Sequence, residues 1–276
     1  MFNTNNKIKL VIIAVPNKQR LKPLLNQLSD SKIFEIVIFS AIMFSKQSSE
    51  FKPNFSKQKT VYGRTLTDGE IGSAISHWKV QKFFAGNGTH CIILEDDARI
   101  TDINNFEKLI LDFIQFSQNT SSVLTLLPWG SRRLSGKVKS LELRKLSGRP
   151  RQTVAYIATS KALEELSSAN IDYSYLPDWP PSNTRYFATL NGVVEHGDSE
   201  TYSLIDKTGS RKTIKFYTII KFFMLPFLLN KKQFAGFKEY LDSCLLPSLT
   251  WRIDKFNFRF FVFKQNLLKL RNLKNN

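Results

Sequence analysis

The chain has 276 residues, of which 42% are hydrophobic and 23% charged, a composition that excludes wholesale disorder and provides for one sizeable core. Lys and Arg outnumber Asp and Glu by 40 to 23, so the net charge is +17, and three His with two Cys leave little room for a zinc cluster or a disulfide scaffold. No stretch reaches the ~18 apolar residues of a transmembrane helix. The short apolar run near the N-terminus lacks a small-residue cleavage site and is interpreted as a buried strand.

Strands and helices alternate along the first two thirds of the chain. Apolar runs predict strands over residues 9–15, 34–40, 91–94, 122–127 and 153–159. Apolar residues at helical spacing predict helices over residues 18–29, 69–84, 103–116 and 160–168. Two of these helices also have caps, at Thr67, with Glu70 three residues later, and at Ser160. Polar residues 45–60 predict a loop, and basic residues 130–152 predict an excursion or hairpin. This alternation predicts an α/β fold with a largely parallel sheet.

The sharpest local feature is a run of three carboxylates, Glu95, Asp96 and Asp97, directly after a buried strand. Adjacent carboxylates repel one another unless a positive charge lies among them. Ligands of open α/β sheets bind beyond the carboxyl ends of the strands, and a hard divalent cation prefers oxygen ligands of this kind. The alternative interpretation is a solvated acidic turn.

Two stretches carry a paired motif. Residues 63–77 read GRTLTDGEIGSAISH, and residues 92–97 read IILEDD. Together they resemble the signature of glycosyltransferase family 25, which includes lipopolysaccharide and lipooligosaccharide galactosyltransferases with a GT-A type nucleotide-sugar fold. Ser73 stands where that family usually has Cys. Weaker similarities extend the resemblance over about residues 8–206, at Arg20, 155–161, 178–180 and 194–203.

The resemblance implies transfer of a hexose, often galactose, from a UDP-sugar to a glycan or glycolipid acceptor. It also implies Mn²⁺ or Mg²⁺ between carboxylates and the donor diphosphate, where the cation stabilises the leaving group. The metal ligands are then Asp97, Glu95 and His196. The donor-binding residues are Arg20, Arg64, Glu70, His77, Glu95 and Asp96. Family members that form β-linkages invert the anomeric carbon and need one base for the acceptor hydroxyl, a role assigned to Asp178, with Trp179 as a flat face for the acceptor sugar.

Several of these residues also have purely structural interpretations. Glu70 can serve only the capping box, and a helical histidine such as His77 is more often a hydrogen-bonded structural group. Asp178 and Trp179 can form a surface turn fixed by the neighbouring prolines, in which case Asp172 is the next candidate for the base. The two arginines can be surface charges.

The positive charge is concentrated at the end of the chain. Residues 207–276 hold 15 Lys and Arg against 3 Asp and Glu, a net charge of +12. Their apolar side chains recur on one helical face: Phe256, Phe260, Phe263, Leu267 and Leu270. We therefore expect a catalytic domain over residues 1–206 and a basic amphipathic segment over 207–276 that binds an anionic membrane surface, which places the protein at the cytoplasmic face of the membrane. The alternative is a helical module that packs on the catalytic domain.

Two other function classes fit parts of this pattern. A basic, metal-dependent nucleic-acid-processing enzyme would also combine positive charge with a carboxylate cluster. The charge, however, lies mostly in a segment rich in Phe and Leu, and no nucleic-acid motif is present, so no nucleic-acid partner is expected. A non-catalytic membrane-surface interaction protein is the third possibility.

Overall fold

The computed structural model describes residues 7–197 apart from 17, 48–49, 63, 87, 129–133, 139–141, 147–149, 151, 178–179 and 181, and these residues all belong to one compact unit. The predicted amphipathic segment 207–276 lies outside the described residues. So do Asp178 and Trp179. None of the helices within the described ranges is long and apolar enough to span a membrane.

The elements alternate much as the sequence predicts. The strands are β1 (Ile8–Ala14), β2 (Phe34–Ser40), β3 (Cys91–Glu95), β4 (Ala98–Ile100), β5 (Ser122–Thr125), β6 (Leu134–Lys137), β7 (Arg144–Leu146), β8 (Ala155–Ala158), β9 (Arg185–Ala188) and β10 (Val194–His196). The helices are α1 (Lys18–Leu28), α2 (Phe55–Tyr62), α3 (Asp68–Phe84), α4 (Ile103–Phe116) and α5 (Ser160–Ala169).

An eight-stranded sheet forms the centre of the described part of the chain, in the order β2-β1-β3-β8-β5-β9-β7-β6. The pairings β1–β2, β1–β3 and β5–β9 are parallel, whereas β8 is antiparallel to both β3 and β5, and β7 to both β9 and β6. All strands of this sheet except β7 and β8 therefore run in the same direction. The predicted α/β class with a mostly parallel central sheet is confirmed.

Each face of the sheet carries its own apolar layer, because alternate residues of a strand point to opposite faces. One layer joins the strands to α1 and α4, with Leu10, Ile12, Leu24, Phe106 and Phe113 among its fully buried members. The other joins them to α3 and α5 and includes Val11, Ile93, Val80, Tyr156 and Leu163. The strands next to the acidic triplet are thus covered on both faces, which explains their near-continuous apolar sequences.

Helix α3 approaches the chain closely at Gly72, where a Cβ atom would lie 2.4 Å from the backbone oxygen of Ile42. One turn later, Ser76 Oγ donates to the Gly72 carbonyl at 2.7 Å and accepts from the Ile42 amide at 2.8 Å. Glycine is required here because any larger residue would push the helix away. This contact fixes the position of α3, and with it that of His77.

Several of the predictions made from local sequence patterns are confirmed. The capping box of α3 is confirmed, since Thr67 and Glu70 exchange side-chain and backbone hydrogen bonds. The predicted hairpin is present as β6 and β7. Two expectations were wrong: the predicted loop 45–60 contains the start of α2, and α5 is capped by Thr159, whose hydroxyl accepts from the Ala162 amide, rather than by Ser160. Strands β4, β9 and β10 are too short to show a periodic pattern.

Candidate active site

The acidic triplet lies at the carboxyl edge of the sheet. Strand β3 ends at Glu95, a turn over residues 96–97 follows, and β4 begins at Ala98. Parallel pairing places Glu95 in register with Ile13, so the triplet adjoins the point where β1 leaves the sheet. The carboxyl ends of parallel strands are where ligands bind in sheets of this type. Because the triplet directly follows β3, its carboxylates lie where a binding site is expected.

Asp96 ties the turn to β1. Its Oδ2 accepts from the Val15 amide at 3.0 Å, and its own amide donates to the Ile13 carbonyl at 3.1 Å. Only 5% of the side chain is exposed. Burial raises the pKa of Asp96, although Arg20 and the Val15 amide oppose that rise. This placement favours a role in holding the turn over the donor contact that the sequence predicts.

Arg20 bridges two carboxylates from the first turn of α1. Its Nη2 lies 2.7 Å from Asp97 Oδ2 and 3.0 Å from Asp96 Oδ1, and its side chain is 13% exposed. A guanidinium is the cation best suited to this task because it carries several donors in one plane. The same group is well suited to bind a diphosphate. The structure thus brings Arg20 into the site from 77 residues away.

His196 reaches the site through the small second sheet. Strand β10 pairs with β4 so that His196 lies opposite Ala98, and the Gly197 amide donates to the Asp97 carbonyl at 2.8 Å. His196 Nε2 is then 3.7 Å from Asp97 Oδ2. A Cβ atom at Gly197 would lie 2.6 Å from the Asp97 carbonyl oxygen, so this close approach requires glycine.

The surroundings of the second oxygen of Asp97, Oδ1, are different. This atom is buried and has no hydrogen-bond partner within the described part of the chain. Burial, and next the charge of Glu95, raise the pKa of Asp97 despite the opposing charges of His196 and Arg20. A buried acceptor without a partner costs about 1–3 kcal/mol. An additional positive charge at this position would remove that cost.

These residues fit a divalent cation as part of a larger ligand shell. Asp97 and His196 supply an oxygen and an imidazole nitrogen, which suit Mn²⁺, and the carboxylate suits Mg²⁺. Over the described ranges, however, no group of three or more His, Cys, Asp or Glu side chains is arranged to hold a metal ion. The protein residues can therefore hold a cation only together with ligand oxygens, which is how Mg²⁺ is commonly bound beside phosphates.

Glu95 is held from the opposite side by α3 and the segment before β8. Its Oε1 lies 3.2 Å from both His77 Nε2 and Thr153 Oγ1. Burial alone would raise the pKa of Glu95, but the hydrogen bonds from His77 and Thr153 outweigh it and lower the pKa. His77 itself is 1% exposed. It reaches the site through Glu95, which does not favour the direct donor contact predicted for it.

Arg64 and Glu70 lie at the N-terminus of α3 and bind each other. Arg64 donates from Nη1 and Nη2 to the two oxygens of Glu70, at 2.7 and 2.6 Å, while Glu70 also completes the capping box. Glu70 precedes His77 by seven residues, which places it two turns, roughly 10.5 Å, along the same helix face. The capping role of Glu70 is confirmed, and the donor contacts of this pair stay predictions.

Asp172, the alternative base, is engaged elsewhere. Its Oδ2 lies 2.9 Å from Lys57 Nζ on α2, and its Oδ1 accepts from the Ser174 amide. Burial would raise the pKa of Asp172, but the hydrogen bonds from Ser174 and Lys57 lower it, which makes Asp172 a weaker base. Since Asp178 and Trp179 lie outside the described residues, their assignments stay predictions.

Sequence reasoning missed the residues that support the triplet. Tyr156, which accepts from Gln81, holds His77, Thr153 holds Glu95, and Gly197 allows the turn to close. Tyr156 falls within the 155–161 stretch that resembles the family, and Gly197 directly follows a predicted ligand. Their contacts link residues far apart in the sequence, 79 positions in the case of His77 and Tyr156, so no local pattern reveals them.

A comparison with known protein families identifies the family of this chain. Residues 7–175 match glycosyltransferase family 25, described as an LPS biosynthesis protein. The chain belongs to glycosyltransferase family 25. Together with the sheet topology, family 25 membership confirms the predicted α/β fold of the GT-A type. The match ends before Asp178, Trp179 and His196, so it does not bear on their roles.

Two solved structures are similar to this chain. One is a mannose-1-phosphate geranyltransferase from Thermus thermophilus, with a TM-score of 0.37 at 9% identity over 69% of this chain and 76% of that one. The other is a 4-diphosphocytidyl-2C-methyl-D-erythritol synthase, with a TM-score of 0.33 at 10% identity over 80% of this chain and 100% of that one. Scores this low bear on neither substrate nor mechanism. No curated protein matches the chain.

Proposed function

We propose that this glycosyltransferase is metal-dependent and inverting, and that it transfers a hexose, galactose first among the candidates, from a UDP-sugar to a lipopolysaccharide, lipooligosaccharide or other cell-surface glycan. The observation that carries this proposal is the surroundings of Asp97. In this family 25 chain, Asp97 lies at the carboxyl edge of the sheet with one oxygen bound by Arg20, and its other oxygen is buried without a hydrogen-bond partner among the described residues.

The proposed cation is held by Asp97 and His196, with Glu95 close by, and donor phosphate oxygens complete its shell. Bound there, Mn²⁺ or Mg²⁺ supplies Lewis-acid stabilisation of the UDP leaving group. Arg20 supplies a second positive charge beside the same carboxylates and binds the diphosphate. Asp96 keeps the turn attached to β1.

The remaining roles concern the two substrates. Glu95 presents its carboxylate to the ribose or the donor sugar, with Oε1 already held by His77 and Thr153. Arg64 and Glu70 form a preassembled pair for the far end of the nucleotide. Asp178 is the proposed base that deprotonates the acceptor hydroxyl, and Trp179 is the proposed platform for the acceptor ring.

The first test does not require the acceptor. Purified full-length protein is incubated with a panel of UDP-sugars, with Mn²⁺, with Mg²⁺ or with EDTA, and release of UDP and free sugar is measured. We expect turnover of one donor that depends on the cation and is lost in Asp97→Ala. The Asp30→Ala variant is the control, because Asp30 is an exposed carboxylate just beyond the C-terminal end of α1. If well-folded protein neither turns over nor binds any UDP-sugar, the proposal is wrong.

We also propose that residues 207–276 bring the enzyme to the anionic surface on which a lipid-linked acceptor would lie. Their net charge of +12 supports this, because each Lys or Arg near such a surface contributes about 1 kcal/mol. Full-length protein should sediment with phosphatidylglycerol vesicles at low salt and be released at high salt. Equal binding to neutral phosphatidylcholine vesicles, or retention on DNA instead, would contradict it.

A further inference from the structure

A line of buried polar groups runs from the interior of the protein to the acidic triplet. Gln81 Nε2 lies 3.1 Å from Tyr156 Oη, Tyr156 Oη lies 3.1 Å from His77 Nδ1, and His77 Nε2 lies 3.2 Å from Glu95 Oε1. The first three side chains are at most 4% exposed. Polar groups this deeply buried are costly unless all are hydrogen-bonded, so the line fixes the geometry of its members.

The order of the partners allows a consistent assignment of the protons. Gln81 donates to the Tyr156 oxygen, and the Tyr156 hydroxyl, 3.1 Å from His77 Nδ1, can then donate its single proton to that nitrogen. In this arrangement Nδ1 of His77 is the acceptor and the ring proton lies on Nε2. That proton is donated to Glu95. The imidazole and phenol rings are also stacked, with centroids 5.8 Å apart and planes inclined by 24°.

Glu95 is where this line leaves the interior. Its side chain is 26% exposed, in contrast to the 1% of His77. Oε1 is used by His77 and Thr153, whereas among the described residues no group donates a hydrogen bond to Oε2. Two donors on one oxygen hold the carboxylate in a single orientation. The other oxygen is left for a ligand at the carboxyl edge of the sheet.

We propose that His77 is a positioning residue, held in one tautomer by Tyr156, that aims the Glu95 carboxylate at the donor substrate. This inference rests on the proposed function, because it assigns His77 a task in that same site. It replaces direct donor contact by His77 with an effect transmitted through Glu95. The alternative is that His77 and Tyr156 only pack α3 against the sheet.

A double-mutant cycle distinguishes the positioning role of His77 from a purely structural one. Donor turnover is measured for the wild type, His77→Leu, Glu95→Ala and the double variant, with folding checked by circular dichroism. Removing a residue that orients another in a site commonly costs about 10- to 100-fold, so we expect His77→Leu to lower kcat/KM for the donor by that factor. In the Glu95→Ala background, the same change should cost less than about twofold, because its target is gone.

Conservative variants sharpen the test. His77→Gln can donate to Glu95 from its amide and should recover most of the activity that His77→Leu loses. His90→Gln is the matched control. His90 precedes β3 at the opposite end of the strand and is hydrogen-bonded to Ser117, so its substitution should leave turnover at neutral pH unchanged.

The ring protons give a readout that does not depend on activity. The chain has three histidines, so ¹⁵N-labelled histidine yields three ring spin systems that single substitutions assign. We expect the ring proton of His77 on Nε2, and Tyr156→Phe to introduce the other tautomer. A wild-type protein that carries this proton on Nδ1 would overturn the proposed role.

The outcomes remain distinguishable. No turnover of any donor by the wild type overturns the proposed function and the positioning role with it. Turnover by the wild type with equal losses from His77→Leu in both backgrounds overturns the positioning role alone, and so does failure of His77→Gln to recover activity. Recovery together with a non-additive cycle supports the inference.

Discussion

The guanidinium of Arg20 lies 2.7 Å from the carboxylate of Asp97, so the group proposed to bind the donor diphosphate already contacts the residue proposed to bind the cation. Arg20 and the proposed cation would thus contact the same carboxylate. Without a ligand, Arg20 neutralises part of the charge of the triplet. With donor and cation present, we expect Arg20 to share its donors with phosphate oxygens.

Removing Arg20 should therefore change metal and donor affinity in opposite directions. In Arg20→Ala, Mn²⁺ affinity without donor should rise by roughly threefold to tenfold, since a positive charge a few ångströms away is lost from a partly screened site. UDP-sugar affinity should fall. Free Mn²⁺ measured by electron paramagnetic resonance and donor binding measured by calorimetry check both effects. Arg185→Ala, at the amino end of β9 and thus the opposite edge of the sheet, is the control. Weaker Mn²⁺ binding in Arg20→Ala would contradict the competition.

Asp97→Asn should stabilise the metal-free protein while abolishing turnover. Burial and the charge of Glu95 raise the pKa of Asp97, so the folded state disfavours its charged form, and the penalty grows as pH rises through that pKa. Replacing the charge at pH 7.5 should increase the free energy of unfolding by about 0.5–1 kcal/mol. Urea unfolding in EDTA measures this, and thermal shifts with Mn²⁺ should disappear in the variant. Asp30→Asn should show neither change, and a loss of stability in Asp97→Asn would contradict the expectation.

Gly72→Ala is a substitution for which the sign of the stability change is informative. Alanine exceeds glycine in helix propensity by about 1 kcal/mol, so at an open helical position the substitution would stabilise the protein. Here the new Cβ would lie 2.4 Å from the Ile42 carbonyl oxygen, and α3 must move. We expect a loss of about 1–3 kcal/mol in urea unfolding, as for other overpacked sites, together with reduced turnover because His77 shifts. Ser73→Ala, one residue along the helix, should change stability by less than about 0.5 kcal/mol.

His90 should make stability depend on pH below neutrality. Burial lowers the pKa of His90 to about 4, whereas an unfolded histidine titrates near 6.5. Its contribution is therefore present above pH 6.5 and is lost as pH falls toward 4, because only the unfolded chain takes up the proton. Lowering the pH from 7.5 to 5 should therefore decrease the free energy of unfolding by about 1–2 kcal/mol through this group. His90→Gln should remove that part of the decrease, and an unchanged pH dependence of urea unfolding in this variant would show that His90 does not titrate as expected.

The parts of the molecule that could be predicted from sequence are those decided by neighbouring residues. The capping box of Thr67 and Glu70 and the carboxylates after the apolar run 91–94 depend on local spacing. The reversed direction of β8 could not be foreseen, because an apolar strand of four residues has the same sequence pattern in either orientation. That reversal places Thr153 beside Glu95.

Long-range contacts within the site were equally hidden. Arg20 was singled out only by resemblance, and nothing in the sequence shows that it contacts Asp96 and Asp97 rather than solvent. The same holds for Tyr156, which is separated from His77 by 79 positions and meets it only because α3 packs over β8. Sequence patterns find the groups that carry charge, whereas the groups that orient them emerge from tertiary packing.

The antiparallel placement of β8 between β3 and β5 also bears on how such an enzyme can diversify. The chain leaves strand β5 and enters its neighbour β8 at nearly the same place, since the Leu126 amide donates to the Ala155 carbonyl at 3.1 Å. The excursion between them, which includes the basic hairpin, is therefore closed at its base by the sheet itself. Lengthening a segment whose ends are already held together costs little, because the entropic cost of closing it grows only with the logarithm of its length. The segment between β5 and β8 can therefore change in length while β1, β3 and α3, which surround the acidic triplet, keep their places.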